Sequence, residues 1–115
     1  MAKILYTVAG EGFGHASRAH LIGTRLIEAG NEVMFAASHK SLAYLKQYFG
    51  DSVKEVFGML FYYHRGRVNP FITIYANLAK LDDCIRTNRE LFREHVERFS
   101  PDVVITDFEP FGAWW

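Results

Sequence analysis

Three short, almost wholly apolar runs punctuate the chain, with segments of helical periodicity between them. Ile4-Leu5-Tyr6-Thr7-Val8-Ala9, Glu32-Val33-Met34-Phe35-Ala36-Ala37 and Asp102-Val103-Val104-Ile105-Thr106-Asp107 carry apolar side chains on consecutive positions rather than alternate ones. That pattern belongs to strands covered on both faces of a parallel sheet. Val53 to Phe57 is a weaker candidate for a further strand. From Ala16 to Ala29 the apolar positions Ala19, Ile22, Leu26 and Ile27 recur at helical spacing, and Gly30 supplies the left-handed residue that commonly ends a helix. Ser41 to Tyr48 predicts a short helix with Leu42, Leu45 and Tyr48 on one side, closed by Gly50. Met59 to Val68 reads as a loop.

Asn69-Pro70 then offers an N-cap followed by proline at the first helical position. A long amphipathic helix is predicted from there to Phe99, with the stripe Phe71, Ile74, Tyr75, Leu78, Leu81, Ile85, Phe92, Val96 and Phe99. Ser100-Pro101 stops it, and another helix is expected to begin at Phe111. Strands that alternate with helices over such short connections must run parallel. The expected fold is therefore α/β: a Rossmann-like, doubly wound parallel sheet of order 3-2-1-4 with helices on both faces. A sheet ending on so apolar a strand has an open edge that further strands would normally cover. Residues 1–115 are accordingly expected to be a truncated Rossmann-like domain, and Trp114-Trp115 beside that edge suggests a homodimer.

Composition narrows the function classes. At 115 residues there is room for one domain, and with half the residues hydrophobic and 16% aromatic the chain is not of the disordered kind. Thirteen basic residues balance thirteen acidic ones, so no net field would hold the chain on nucleic acid. Cys84 is the only cysteine, which excludes an internal disulfide and fits a reducing, cytoplasmic setting. No apolar run approaches the ~20 residues of a bilayer span, although peripheral contact with the inner face of a membrane stays open.

The chemistry concentrates in Gly10-Glu11-Gly12-Phe13-Gly14-His15, a glycine-rich turn between the first strand and the first helix. In a doubly wound sheet, ligands bind beyond the carboxyl ends of the strands where strand order reverses. Two segments should meet there, this turn and Asp107 to Pro110. The glycines allow close approach of backbone to ligand, and the helix start favours an anion. A dinucleotide site would want a third glycine where His15 stands, and an acidic end to the second strand, which instead reads Ala36-Ala37-Ser38. The Gly-Lys-Ser/Thr of a phosphate loop is missing. A nicotinamide or flavin site is weakened, and neither a cofactor nor a metal is expected.

A helix N-terminus keeps an imidazole neutral and able to accept a proton. An aspartate reaching it would fix the tautomer and stabilise the imidazolium that forms. His15 and Asp107 fit those parts. Taken singly, each is more often structural, His15 packing beside the turn and Asp107 capping the next helix.

The two motifs, Gly10 to His15 and Val103 to Phe108, together resemble the N-terminal half of GT-B glycosyltransferases, among them bacterial and archaeal proteins related to UDP-glycosyltransferases and lipid-linked-sugar transferases. The resemblance implies that this half binds the acceptor, whether a small molecule, a glycan or a lipid-linked sugar, while an absent C-terminal half binds the nucleotide-sugar donor. It implies that His15 is the general base and Asp107 its orienter in an inverting transfer, in cell-envelope or glycoconjugate synthesis. Gly12, Phe13, Gly14, Arg18 and Glu109 would contact substrate. Many relatives carry Gly-His-x-x-Pro, and Arg18 stands here in the place of that proline; on the first helical turn it would meet an anionic acceptor or face solvent. On this reading residues 1–115 alone would not turn over. The alternative is a non-catalytic Rossmann-like binding or assembly module. His39 borders the same sheet edge, His64, Arg65 and Arg67 form a basic loop, and His20 and His95 carry no assigned role.

Overall fold

A computed structural model describes residues 1–10, 13–56, 63–64, 67–68, 70–79 and 81–107. The elements run β1 (Lys3–Val8), α1 (Gly14–Glu28), β2 (Glu32–Ala37), α2 (His39–Phe49), a single 3-10 turn (Gly50–Ser52) and β3 (Val53–Glu55). They continue with β4 (Tyr63–His64), β5 (Arg67–Val68), α3 (Pro70–Ala79), α4 (Leu81–Leu91), a π-helical turn (Phe92–Val96), α5 (Glu97–Phe99) and β6 (Val103–Asp107). The main sheet is ordered β3-β2-β1-β6 with every pairing parallel. That is the doubly wound order read from the sequence, with β6 as its fourth strand. The predicted helix from Phe111 lies outside the described residues. In the segment read as a loop, β4 and β5 pair antiparallel as a two-residue ladder, Tyr63 opposite Val68 and His64 opposite Arg67.

Both faces of the sheet are covered. On one side Ile4, Tyr6, Val8, Val33, Phe35, Ala37 and Val53 pack with Ala19 of α1 and Leu45 of α2. On the other, Leu5, Met34, Ala36 and Val56 meet Val96, with Phe92 and Phe99 against them. Alternation of facing along β1 and β2 distributes their unbroken apolar runs between these two cores.

Two helices turn differently from their apolar patterns. The buried residues of α1 are Ala16, Ala19 and Gly23, whereas Ile22 and Ile27 are exposed. Small residues set this face because the Phe35 ring occupies the space directly over Gly23. The predicted stripe from Phe71 to Phe99 is core only at its end. Phe71, Ile74, Tyr75 and Leu78 are exposed, and Asn88, a polar residue in line with the stripe, is buried. Within the second core this stripe contributes Val96, with Phe92 and Phe99 packed against it. No helix among the described residues is long and apolar enough to cross a membrane.

Gly30 adopts φ +93° directly after α1, as a helix-ending glycine should. The backbone N–H of Asn31 reaches Leu26 O, and its side chain accepts from Ala2 N at 3.0 Å, which ties the start of β1 to the α1–β2 turn. Lys3 N donates to Asp102 Oδ2 at 2.9 Å on the other flank. These ties set the register in which Val8 lies beside Ala37 and Asp107.

Candidate functional site

The carboxyl edge of the sheet brings three segments together. Val8, the last residue of β1, is paired with Ala37 on one side and Asp107 on the other, so the glycine turn leaves the sheet between the ends of β2 and β6. Ala9 N donates to Asp107 O at 3.0 Å, which holds the Asp107 backbone against the root of the turn. α1 then starts at Gly14, with Phe13 as an N-cap that makes no side-chain capping bond.

The geometry places His15 Nδ1 2.9 Å from Asp107 Oδ1. Arg18 joins them: its Nε donates to Asp107 Oδ2 at 2.8 Å and its Nη2 to Oδ1 at 2.7 Å, a two-pronged fork on one carboxylate. Arg18 Nη2 also lies 3.0 Å from His15 Nδ1. Arginine only donates, so this contact and the Asp107 contact make opposite demands on Nδ1. One Nη2 hydrogen already goes to Oδ1, and a carboxylate oxygen is a stronger acceptor than an imidazole nitrogen. The consistent arrangement therefore has Nδ1–H and Nη2–H both donating to Oδ1, side by side. That tautomer puts the imidazole lone pair on Nε2.

Asp107 is only 12% exposed, while the His15 and Arg18 side chains are 29% and 54% exposed. Burial alone would raise the Asp107 pKa, but the bonds from Arg18 and then from His15 outweigh it and hold the carboxyl below its ordinary value. Arg18 is raised above its ordinary value by the Asp107 bond. Below the pair, burial raises the Tyr6 phenol and the Asp107 charge adds to it, so this side chain stays neutral.

Of the other residues singled out, Phe13 is 62% exposed at the mouth of the turn, with Lys40 Nζ 5.9 Å from its ring centroid. Among the described residues, a side chain on Gly14 would meet nothing within 4 Å. The crowded glycine is Gly10, where a Cβ would come within 2.5 Å of Ser38 Oγ and 2.9 Å of His39 Cδ2. Its role is the close approach of the turn to the start of α2. Gly12, Glu11, Arg65 and Glu109 lie outside the described residues. His20 stacks on Tyr48 at 4.0 Å and bonds the Tyr44 hydroxyl at 3.1 Å in an aromatic cluster between α1 and α2.

The fork from Arg18 to Asp107 is what sequence reasoning missed. The signal was present: Arg18 is three residues after His15, hence on the same face of α1, and whatever His15 reaches Arg18 reaches too.

Parallel strands in this order, helices on both faces and polar side chains gathered at the switch point define a Rossmann-like α/β protein of the kind that forms one half of a GT-B glycosyltransferase. Residues 2–115 match the profile of glycosyl transferase family 1. The chain belongs to that family. No curated protein and no solved structure matches it.

Proposed function

We propose that the chain is the acceptor-binding side of an inverting, nucleotide-sugar-dependent glycosyltransferase, with His15 as general base and Asp107 as its orienter. The observation that carries this reading is the 2.9 Å contact between His15 Nδ1 and Asp107 Oδ1 across the switch point. Nε2 of His15 takes the proton of an acceptor hydroxyl as its oxygen attacks the anomeric carbon of the donor. The bond from that carbon to the diphosphate breaks, the electron pair leaves with the diphosphate, and the anomeric configuration inverts. Asp107 balances the imidazolium charge through Nδ1–H. Phe13 and Gly14 line the acceptor side, and a second Rossmann-like half supplies the donor diphosphate site.

Transfer from a nucleotide sugar, assayed in the protein together with its donor-binding half, tests the assignment. His15→Ala is expected to lower kcat by roughly 10²–10⁴-fold, the usual contribution of a positioned base. Asp107→Asn should lower it as well, with the acceptor KM less affected. Full activity in His15→Ala would remove the base assignment and leave the family and fold.

A second reading, a non-catalytic assembly module, draws on β6. It is the outer strand of the sheet among the described residues, and Val103 and Val104 are 47% and 42% exposed. An uncovered apolar edge favours pairing with another copy. Sedimentation over a wide concentration range distinguishes the two, since a monomer throughout removes the self-pairing reading.

A further inference from the structure

Arg18 spends only one edge of its guanidinium on Asp107. The group is a rigid plane with five N–H donors. The fork to Oδ2 and Oδ1 uses Nε–H and the adjoining Nη2–H. One hydrogen of Nη1 and the outer one of Nη2 form a second, end-on edge. Among the described residues no acceptor meets that edge, because His15 Nδ1, 3.0 Å from Nη2, is itself a donor to Asp107. The side chain is 54% exposed while the carboxylate anchoring it is 12% exposed. A cation pinned at its root and open at its tip, beside the imidazole, loses little further freedom when it binds an anion.

We infer that the end-on edge of Arg18 is an anion subsite, taking a phosphate or carboxylate that the acceptor carries near the hydroxyl handled by His15. The inference rests on the reading of His15 as the base. The fork to Asp107 fixes the plane of the guanidinium, and a phosphate or carboxylate meets its end-on N–H groups with two oxygens, as in other bidentate arginine pairs.

Asp107 at the end of β6 and Arg18 on α1 touch His15, and His39 and Lys40 stand at the start of α2, which approaches the turn at Gly10. Lys40 adds positive charge on the open side, near Phe13. The only negative charge in this set is Asp107, and Arg18 already covers both its oxygens.

The test reads the ¹⁵N shifts of the Arg18 side chain, and binding affinity by calorimetry, at fixed pH as methyl phosphate or acetate is added in solution, or phosphatidic acid in phosphatidylcholine vesicles. A bound anion is expected to shift the Arg18 resonances saturably, in step with the calorimetric binding curve. A shift with methyl phosphate assigns a soluble phosphorylated group, one with acetate a carboxylate, and one confined to the vesicles a lipid headgroup. Arg18→Gln should abolish the calorimetric binding. Arg18→Lys, which keeps the charge but not the planar edge, should weaken it and serves if the glutamine variant does not fold. Arg18 resonances unmoved by every probe, or unchanged affinity in Arg18→Gln, overturn the inference. Because no step needs transfer, such a failure is separable from a failure of the base assignment, which the His15→Ala kinetics read.

Discussion

Replacing Gly23 by alanine sets two effects against each other at one point of the α1–sheet interface. Glycine in a helix interior costs about 1 kcal/mol relative to alanine, so propensity alone predicts a more stable protein. The structure predicts the reverse. A Cβ at Gly23 would run into Cζ of Phe35, with Cε1 of the same ring at 2.9 Å and Phe49 Cζ at 3.6 Å. Phe35 is fully buried, its ring stacked on Phe49 at 4.4 Å and 5.8 Å from Tyr6, so it has no room to swing aside. Forcing a methyl group into such a core typically costs 1–3 kcal/mol. Net of the helix gain, Gly23→Ala should destabilise by up to about 2 kcal/mol, or up to roughly 8 °C in Tm for a chain of this size. Phe35→Leu removes the colliding ring edge. It is destabilising alone, and in Gly23→Ala/Phe35→Leu the two losses should fall short of their sum by about 1 kcal/mol. Thermal and urea melts of the four proteins give the cycle. A higher Tm in Gly23→Ala, or strict additivity, would refute the claim that the Phe35 ring sets the spacing of α1 from the sheet.

Ser38 carries a buried hydroxyl with no hydrogen-bond partner among the described residues, and it makes no capping bond to α2. Ser38→Ala should therefore raise stability by about 1 kcal/mol, and a lower urea midpoint would show that the hydroxyl has a use in the folded protein. The Asp107 carboxyl is held below its ordinary pKa in the folded chain, so it contributes stability above the ordinary carboxylate range, and this is lost as pH falls through the lowered value. The stability gap between the wild type and Asp107→Asn should be largest near neutral pH and close under acid. A gap independent of pH would mean the ion pairs contribute nothing to folding.

The architecture was legible because a parallel sheet writes itself into the chain with little ambiguity. Strands covered on both faces must be continuously apolar, as β1 and β2 are, and short connections through helices force parallel pairing. The left-handed conformation of Gly30 was equally readable, since only its missing Cβ makes φ +93° inexpensive. Helix rotation was not. Periodicity put Ile22 and Ile27 of α1 in the core, but the face that packs is the one with no side chain at Gly23, a consequence of the Phe35 ring, which is distant along the chain and adjacent only after folding. The stripe on α3 has the right period, yet Phe71, Ile74, Tyr75 and Leu78 are exposed.

The site divides along the same line. By themselves, the residues determined that a histidine follows the glycine turn and that an aspartate ends a later strand, and sheet order then put both at one edge. Tertiary structure alone decided the electrostatics, because β1 brings α1 and the end of β6 together from positions 89 residues apart and lets Arg18 fork onto the carboxylate that His15 shares. Sequence spacing records which side chains a helix face presents. Which of them captures a buried charge depends on distances of a few tenths of an ångström, set only when the sheet closes.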